Sequence, residues 1–232
     1  SDQLRFTAQQ LVAHRGFQKR FPENTALSVT EAIKAGALYI EIDIQLSRDR
    51  QPLVFHDSSL DRVCGCPGKV NELSLEALER LPAYEPQRLG SAFIAETISS
   101  LETVVAIIRQ HPSVTLFVEL KEESIVHFGA TTMLAAVTKV LQPIAQRAVL
   151  ISFDYGIIQT ARDQNWPQVG VVLRDWSDIQ SPQVALIAGD YTFVNHTIID
   201  PEADLSKLNT TLVAYEVGNA DLAKKLTAEN VA

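Results

Sequence analysis

Short runs rich in Val, Ile, Leu and Phe alternate along the chain with longer stretches of helical spacing, the pattern expected of parallel strands covered on both faces by helices. The apolar runs predict strands at 11–14, 38–44, 114–120, 148–152, 169–173, 191–195 and 211–217. The periodic stretches predict helices at 25–35, 99–110, 130–146, 155–165, 181–188, 201–208 and 219–229. Strand followed by helix, seven times over, points to a single α/β domain across residues 1–232, a TIM (β/α)8 barrel. After the last predicted helix only Val231 and Ala232 remain, so the eighth strand is expected to lie outside this chain, the alternative being a barrel left open.

The regular repeat is broken once. Strand starts are 20 to 34 residues apart except between the second and third, where the interval is 76, about 45 more than an ordinary βα unit requires. The excess opens with LYIEIDIQL, the polar SRDRQ and then PLVFHD, a connection too short for a parallel crossover. It predicts a hairpin in which position 41 faces 57 and 43 faces 55, bringing His56 and Asp57 back beside Glu41 and Asp43. The rest of the insertion, about 58–97, is loop-rich with one short helix at SLEALERL, and is expected over the carboxyl ends of the strands, where barrels keep their active sites.

Composition narrows the function. At 232 residues and 46% hydrophobic content the chain can bury one sizeable core, but its longest apolar stretches, such as VTLFVEL, fall far short of the ~20 residues of a spanning helix. No stable membrane insertion is expected. A formal net charge of −8 with no basic run argues against a broad nucleic-acid footprint, so any phosphate specificity must be local. The opening SDQLRFTAQQ has neither a charged nor an apolar leader region, which favours a cytoplasmic location, with the periplasm open if a leader has been removed. Two cysteines, Cys64 and Cys66, lack the partners of a closed zinc site, and a disulfide between them across one glycine would be strained. Free thiols in a loop are expected.

Glu41 and Asp43 stand two apart on one strand and so share a face, while Ile40, Ile42 and Ile44 point the other way. Glu119, with Lys121 two residues on, repeats the arrangement. Three carboxylates meeting in a barrel mouth raise one another's pKa unless a cation neutralises them, and an all-oxygen set suits Mg²⁺ or Ca²⁺. The plainer reading makes them ion pairs with Lys121 or Arg15. His14 at the end of the first strand and His56 at the end of the hairpin could give and take protons near neutral pH, the two operations that phosphodiester cleavage needs. Arg15 offers a bidentate donor for phosphate oxygens and Lys121 a compact positive charge. In FPENTALSV, Asn24 or Thr25 reads as a helix N-cap, and Glu23 could hold a catalytic histidine in position.

The motifs H-R-G at 14–16, P-E-N-T at 22–25, E-I-D at 41–43, V-F-H-D at 54–57, L-D-R at 60–62 and V-E-L-K at 118–121 together resemble the glycerophosphodiester phosphodiesterase family. The resemblance runs from about residue 11 to 217 and thins after 155. It implies metal-dependent hydrolysis of a small glycerophosphodiester to glycerol 3-phosphate and an alcohol. The positions matching Glu41, Asp43 and Glu119 would hold Mg²⁺ or Ca²⁺, those matching His14 and His56 would act as acid and base, and Arg15 and Lys121 would contact phosphate. Ser152 and Phe153 match a family S-F that either lines the pocket or packs in the core. Where members usually carry W-T-V on the seventh strand, this chain has Tyr215, Glu216 and Val217, which leaves Tyr215 as an aromatic face for glycerol and puts substrate preference in question. Asp57 and Glu23 are expected to support the site from behind. Two other readings are a lysophospholipase D-like enzyme, with YEPQRLGSAFIA at 84–95 as its docking segment, and a barrel that binds phosphodiesters without cleaving them.

Overall fold

The computed structural model describes residues 11–215. It opens with β1 (Val12–His14), α1 (Ala26–Lys34) and β2 (Tyr39–Leu46), which turns into the antiparallel β3 (Pro52–Val54). The insertion follows, with the single-turn helices α2 (Asp61–Cys64), α3 (Leu75–Leu78) and α4 (Pro86–Leu89) and the short strand β4 (Ser99–Ser100) beside β3. Regular alternation then resumes with α5 (Leu101–Arg109), β5 (Thr115–Leu120), α6 (Glu122–Phe128), α7 (Ala130–Leu141), β6 (Ala148–Ser152), α8 (Tyr155–Asp163), β7 (Val169–Val172), α9 (Pro182–Ile187), β8 (Tyr191–Asn195) and β9 (Thr211–Tyr215). The parallel strands pair in the order β1, β2, β5, β6, β7, β8, β9. This is a (β/α) barrel, as the alternation predicts. The expected eighth strand and the predicted 219–229 helix, together with Glu216 and Val217, fall outside the described residues.

The two faces of each strand carry different cores. Ile40, Ile42, Ile44, Leu116, Val118, Leu150 and Val194 point outward and join Val29, Val104, Ile108 and Val137 of the helices. Phe117, Val149, Ile151, Val172, Phe193 and Val213 point inward, with Tyr39 and Tyr191 packed against them. Phe117 stands edge-on to both Tyr191 and Phe193, its ring centroid 4.9 and 4.8 Å from theirs. Aromatic bulk thus fills the lower interior, and the polar residues of the same faces are confined to the carboxyl ends.

The hairpin adopts the expected register. Ile44 pairs with Val54, and the Phe55 N–H donates to the Asp43 carbonyl at 2.9 Å. The Gln45 amide donates to the carbonyls of Phe55, His56 and Asp57, pinning the chain where His56 leaves the strand. The insertion has a hydrophobic cluster of its own around Leu53, Phe55, Leu60, Val63, Val70, Leu78 and Ile98. Cys64 is buried in it at the end of α2, and both cysteines are free thiols; burial pushes the Cys64 thiol up to about 12.

Three helix expectations differ: the insertion holds the single-turn α2, α3 and α4 rather than one short helix. Residues 201–208 form only a 3-10 turn at Leu205–Lys207. The Asp200 and Asp204 carboxylates accept from the backbone N–H groups of Glu202 and Ser206, local bonds that compete with helix formation. Conversely, α6 follows β5 directly, with Glu122 and Glu123 in its first turn and Gly129, at φ 88, ending it.

Candidate active site

β1 delivers His14 to the barrel mouth, and the chain then reverses through two residues in the left-handed region, Arg15 (φ 56) and Gly16 (φ 76). A β-carbon on Gly16 would lie 2.8 Å from the β-carbon and the carbonyl carbon of Ser28. Glycine is therefore required here by conformation and by contact with α1. Thr25 caps α1, its hydroxyl accepting from the Ser28 N–H at 3.1 Å while the Ser28 hydroxyl accepts from the Thr25 N–H. Asn24 has another task. Its amide donates to Asp43 Oδ2 at 3.0 Å and its carbonyl accepts from the Asp43 N–H at 3.2 Å, tying the loop after β1 to β2.

The expected acids converge. Asp43 and Glu119 are register neighbours on β2 and β5, and Glu41, Asp43 and Glu119 are all buried. Burial, reinforced by the charges of Asp43 and Glu41, raises Glu119 well above the usual carboxylate range. Burial would raise Asp43 too, but hydrogen bonding from Glu119 and the nearby charges of His56, Arg15 and Lys121 outweigh it and hold Asp43 at about 2. Burial and the Asp43 charge push Glu41 up. Lys121 Nζ lies 3.4 Å from Glu119 Oε2, and Arg15 Nε lies 3.4 Å from Asp43 Oδ2.

His14 Nε2 is 3.0 Å from Glu41 Oε2, and its Nδ1 is 3.1 Å from the Gln18 amide. Burial opposes protonation of His14, but the charge of Glu41 and the hydrogen bond to it prevail and raise its pKa. His56 Nδ1 lies 2.7 Å from Asp57 Oδ1. The Asp57 carboxyl is held below the usual range by His56 first and then by Arg62, against partial burial. Tyr215, at the end of β9, brings its ring centroid to 6.3 Å from that of His14. His14, Arg15, Glu41, Asp43, His56, Glu119, Lys121 and Tyr215, with Phe17 and Phe153, line one cavity of about 800 Å³. Phe153 is thus placed at the pocket, whereas Ser152 is fully buried and donates to the Leu120 carbonyl.

Glu23 departs from its expected role, because it meets arginines rather than a histidine: Arg15 Nη1 at 3.2 Å and both terminal nitrogens of Arg62 at 2.6 and 2.9 Å. Arg62 and Glu85, neither singled out from the sequence, belong to this constellation. They lie 39 and 62 residues from Glu23, and the L-D-R motif and the 84–95 segment touched their positions without giving either residue this role.

As the side chains are placed, no three His, Cys, Asp or Glu among the described residues stand in position to hold one metal ion. The donor chemistry nonetheless fits a hard divalent cation. All three acids are oxygen donors, Glu41 Oε1 is buried without a hydrogen-bond partner among the described residues, and the burial and neighbouring acids that raise Glu119 are what a cation would offset.

The model of the glycerophosphoryl diester phosphodiesterase family matches residues 14–228. Bacillus subtilis YhdW, provisionally named a glycerophosphodiester phosphodiesterase, is 30% identical across 95% of this chain and 91% of its own length. Bovine glycerophosphodiester phosphodiesterase 1 is 30% identical over 72% of the chain, which spans about half, 49%, of the bovine protein. Among solved structures, an Oleispira antarctica phosphodiesterase in complex with the product sn-glycerol-3-phosphate is similar with a TM-score of 0.80 at 25% identity, covering 96% of this chain and 90% of that one. A structure from Silicibacter pomeroyi reaches 0.82 at 18% identity, with 96% and 87% covered, and speaks for the fold alone.

Proposed function

The chain belongs to the glycerophosphoryl diester phosphodiesterase family, and from that premise we propose that it hydrolyses glycerophosphodiesters to glycerol 3-phosphate and an alcohol. What carries the proposal is the meeting of His14 and His56, from β1 and the hairpin, in one cavity with Glu41, Asp43 and Glu119. The product bound to the Oleispira enzyme supports the substrate class. Glu41, Asp43 and Glu119 would hold Mg²⁺ or Ca²⁺, which when bound supplies Lewis-acid stabilisation of the phosphoryl charge. Arg15 and Lys121 bind phosphate oxygens. One histidine takes the proton from the attacking oxygen as it bonds to phosphorus; water attacking gives glycerol 3-phosphate directly, whereas the neighbouring glycerol hydroxyl gives a cyclic phosphate that a water must then open to glycerol 3-phosphate. The other protonates the alcohol oxygen as its bond to phosphorus breaks. Tyr215 and Phe153 offer the glycerol and headgroup an aromatic wall.

The test is release of glycerol 3-phosphate from glycerophosphocholine and glycerophosphoethanolamine with Mg²⁺, Ca²⁺ or EDTA. Removing an acid or base typically costs about 10²–10⁴-fold, so His14→Ala and His56→Ala should each lose at least two decades of kcat, and EDTA should silence the wild type. Release that survives both substitutions would refute the histidine roles. Wild-type inactivity with every cation would refute the substrate class, with lysophospholipid as the next substrate to try.

A further inference from the structure

Arg62 sits where two arms of the site meet. Its Nε and Nη2 donate to the two Asp57 oxygens at 2.9 and 3.0 Å, and its Nη1 and Nη2 donate to the two Glu23 oxygens at 2.6 and 2.9 Å. Each carboxylate has a second partner in the reaction centre, Asp57 holding His56 and Glu23 holding Arg15. An ionised Asp57 accepts a proton-bearing Nδ1 and leaves Nε2 of His56 to exchange protons. Behind Arg62 stands Glu85, which is buried. It accepts the backbone N–H of Glu23 at 2.8 Å and is gripped by Nε and Nη2 of Arg88 at 2.9 and 2.5 Å. Arg88 also donates to the carbonyls of Gln18 and Phe21.

An ordinary surface ion pair contributes little, but this one differs in two ways. Arg62 is forked onto two carboxylates, and Glu23 and Glu85 are both out of solvent. In addition, Arg15, Asn24 and Glu85 are three of the six non-glycine residues with left-handed backbone among those described. Such strain persists only where the surroundings over-determine it. Here the ion pairs of Arg15 and Glu85, and the Asn24 amide on Asp43, provide that restraint.

We infer that Arg62 is a positioning residue that sets His56 and Arg15 in one geometry through Asp57 and Glu23, with Glu85 and Arg88 bracing it from the insertion. The insertion is thereby a working part of the site. This inference rests on the roles given above to His56 and Arg15.

It is tested on the full chain with saturating divalent cation, measuring kcat and KM for glycerol 3-phosphate release by Arg62→Ala, Arg62→Lys, Asp57→Asn and the Asp57→Asn/Arg62→Ala double variant, with circular dichroism to verify folding. Loss of an orienting partner behind a working group costs roughly 10- to 100-fold, so kcat of Arg62→Ala should fall by that factor with the larger share in kcat rather than KM. Arg62→Lys, which keeps the charge but not the fork, should recover little, and guanidinium ion should restore the alanine variant where ammonium does not. The double variant should lose less than the product of the single losses. The inference is overturned if Arg62→Ala keeps kcat within about twofold while only its melting temperature drops, or if the losses multiply. If Arg62→Ala does not fold, Arg62→Lys carries the same comparison. An active His56→Ala would instead sink the reading of the site itself.

Discussion

Gly16→Ala separates two costs that the structure assigns to one residue. A residue with a β-carbon held at φ +76 loses about 1–2 kcal/mol. Its contacts at 2.8 Å with the β-carbon and carbonyl carbon of Ser28 add an overpacking cost of about 1–3 kcal/mol, because backbone of α1, rather than a flexible tip, must yield. The sum, about 2–5 kcal/mol, lowers the melting temperature of a domain this size by roughly 4–20 °C. Gly36→Ala is the internal control: φ there is +92, but nothing lies within 4 Å of the added carbon, so only the conformational cost of about 1–2 kcal/mol applies. Paired thermal and urea denaturation should place Gly16→Ala clearly below Gly36→Ala. Only the former should also lose kcat/KM, since the Ser28 hydroxyl lies 3.2 Å from the Arg15 carbonyl. Equal stability losses in the two variants would refute the packing of the H-R-G turn on α1.

Glu119 has its folded pKa raised, chiefly by burial. Its contribution is thus most favourable at or below the unfolded value of about 4.5 and is lost as pH rises through the folded value. In EDTA at pH 7, Glu119→Gln should accordingly melt higher than the wild type and abolish any Mg²⁺- or Ca²⁺-induced rise, which for the wild type would be about 2.7 kcal/mol at a hundredfold excess over Kd. A lower melting point in EDTA would contradict this. Phe117→Ala removes the interior ring on which Tyr191 and Phe193 rest and should cost about 3–5 kcal/mol, read from the urea midpoint; a loss under 1 kcal/mol would mean the lower barrel is not filled as described.

What could be read in the sequence was what short-range pattern encodes. Alternation on β2 put Glu41 and Asp43 on one face and three isoleucines on the other, and the short polar link fixed the hairpin register that carries His56. The expected carboxylates and histidines do share a cavity. The failures have local and non-local causes. At 201–208 the helical spacing of apolar residues was overridden by Asp side chains bonding their own backbone. At 122–128 no helix was expected, although the acidic first turn and the closing Gly129 are signals for one. For Arg62, Glu85 and Arg88 no periodicity exists to find, because a buried ion network is specified by contacts across dozens of residues and each member in isolation looks like a solvated charge.

β2 is shared between two structures: its first half is a barrel stave between β1 and β5, and its last three residues belong to the hairpin. One added or deleted residue within it would exchange the charged and aliphatic faces and unseat His56 in the same stroke. The insertion beyond has its own hydrophobic cluster, and a loop lengthened at an exposed point outside the Arg62, Glu85 and Arg88 network leaves the braces of the site in place. An insertion scan should therefore show a sharp tolerance boundary, with no viable variants inside β2 and recoverable ones in the exposed stretch around Ser91 and Ala92. This chain would have latitude to change what it recognises without recalibrating the strand that aligns its chemistry.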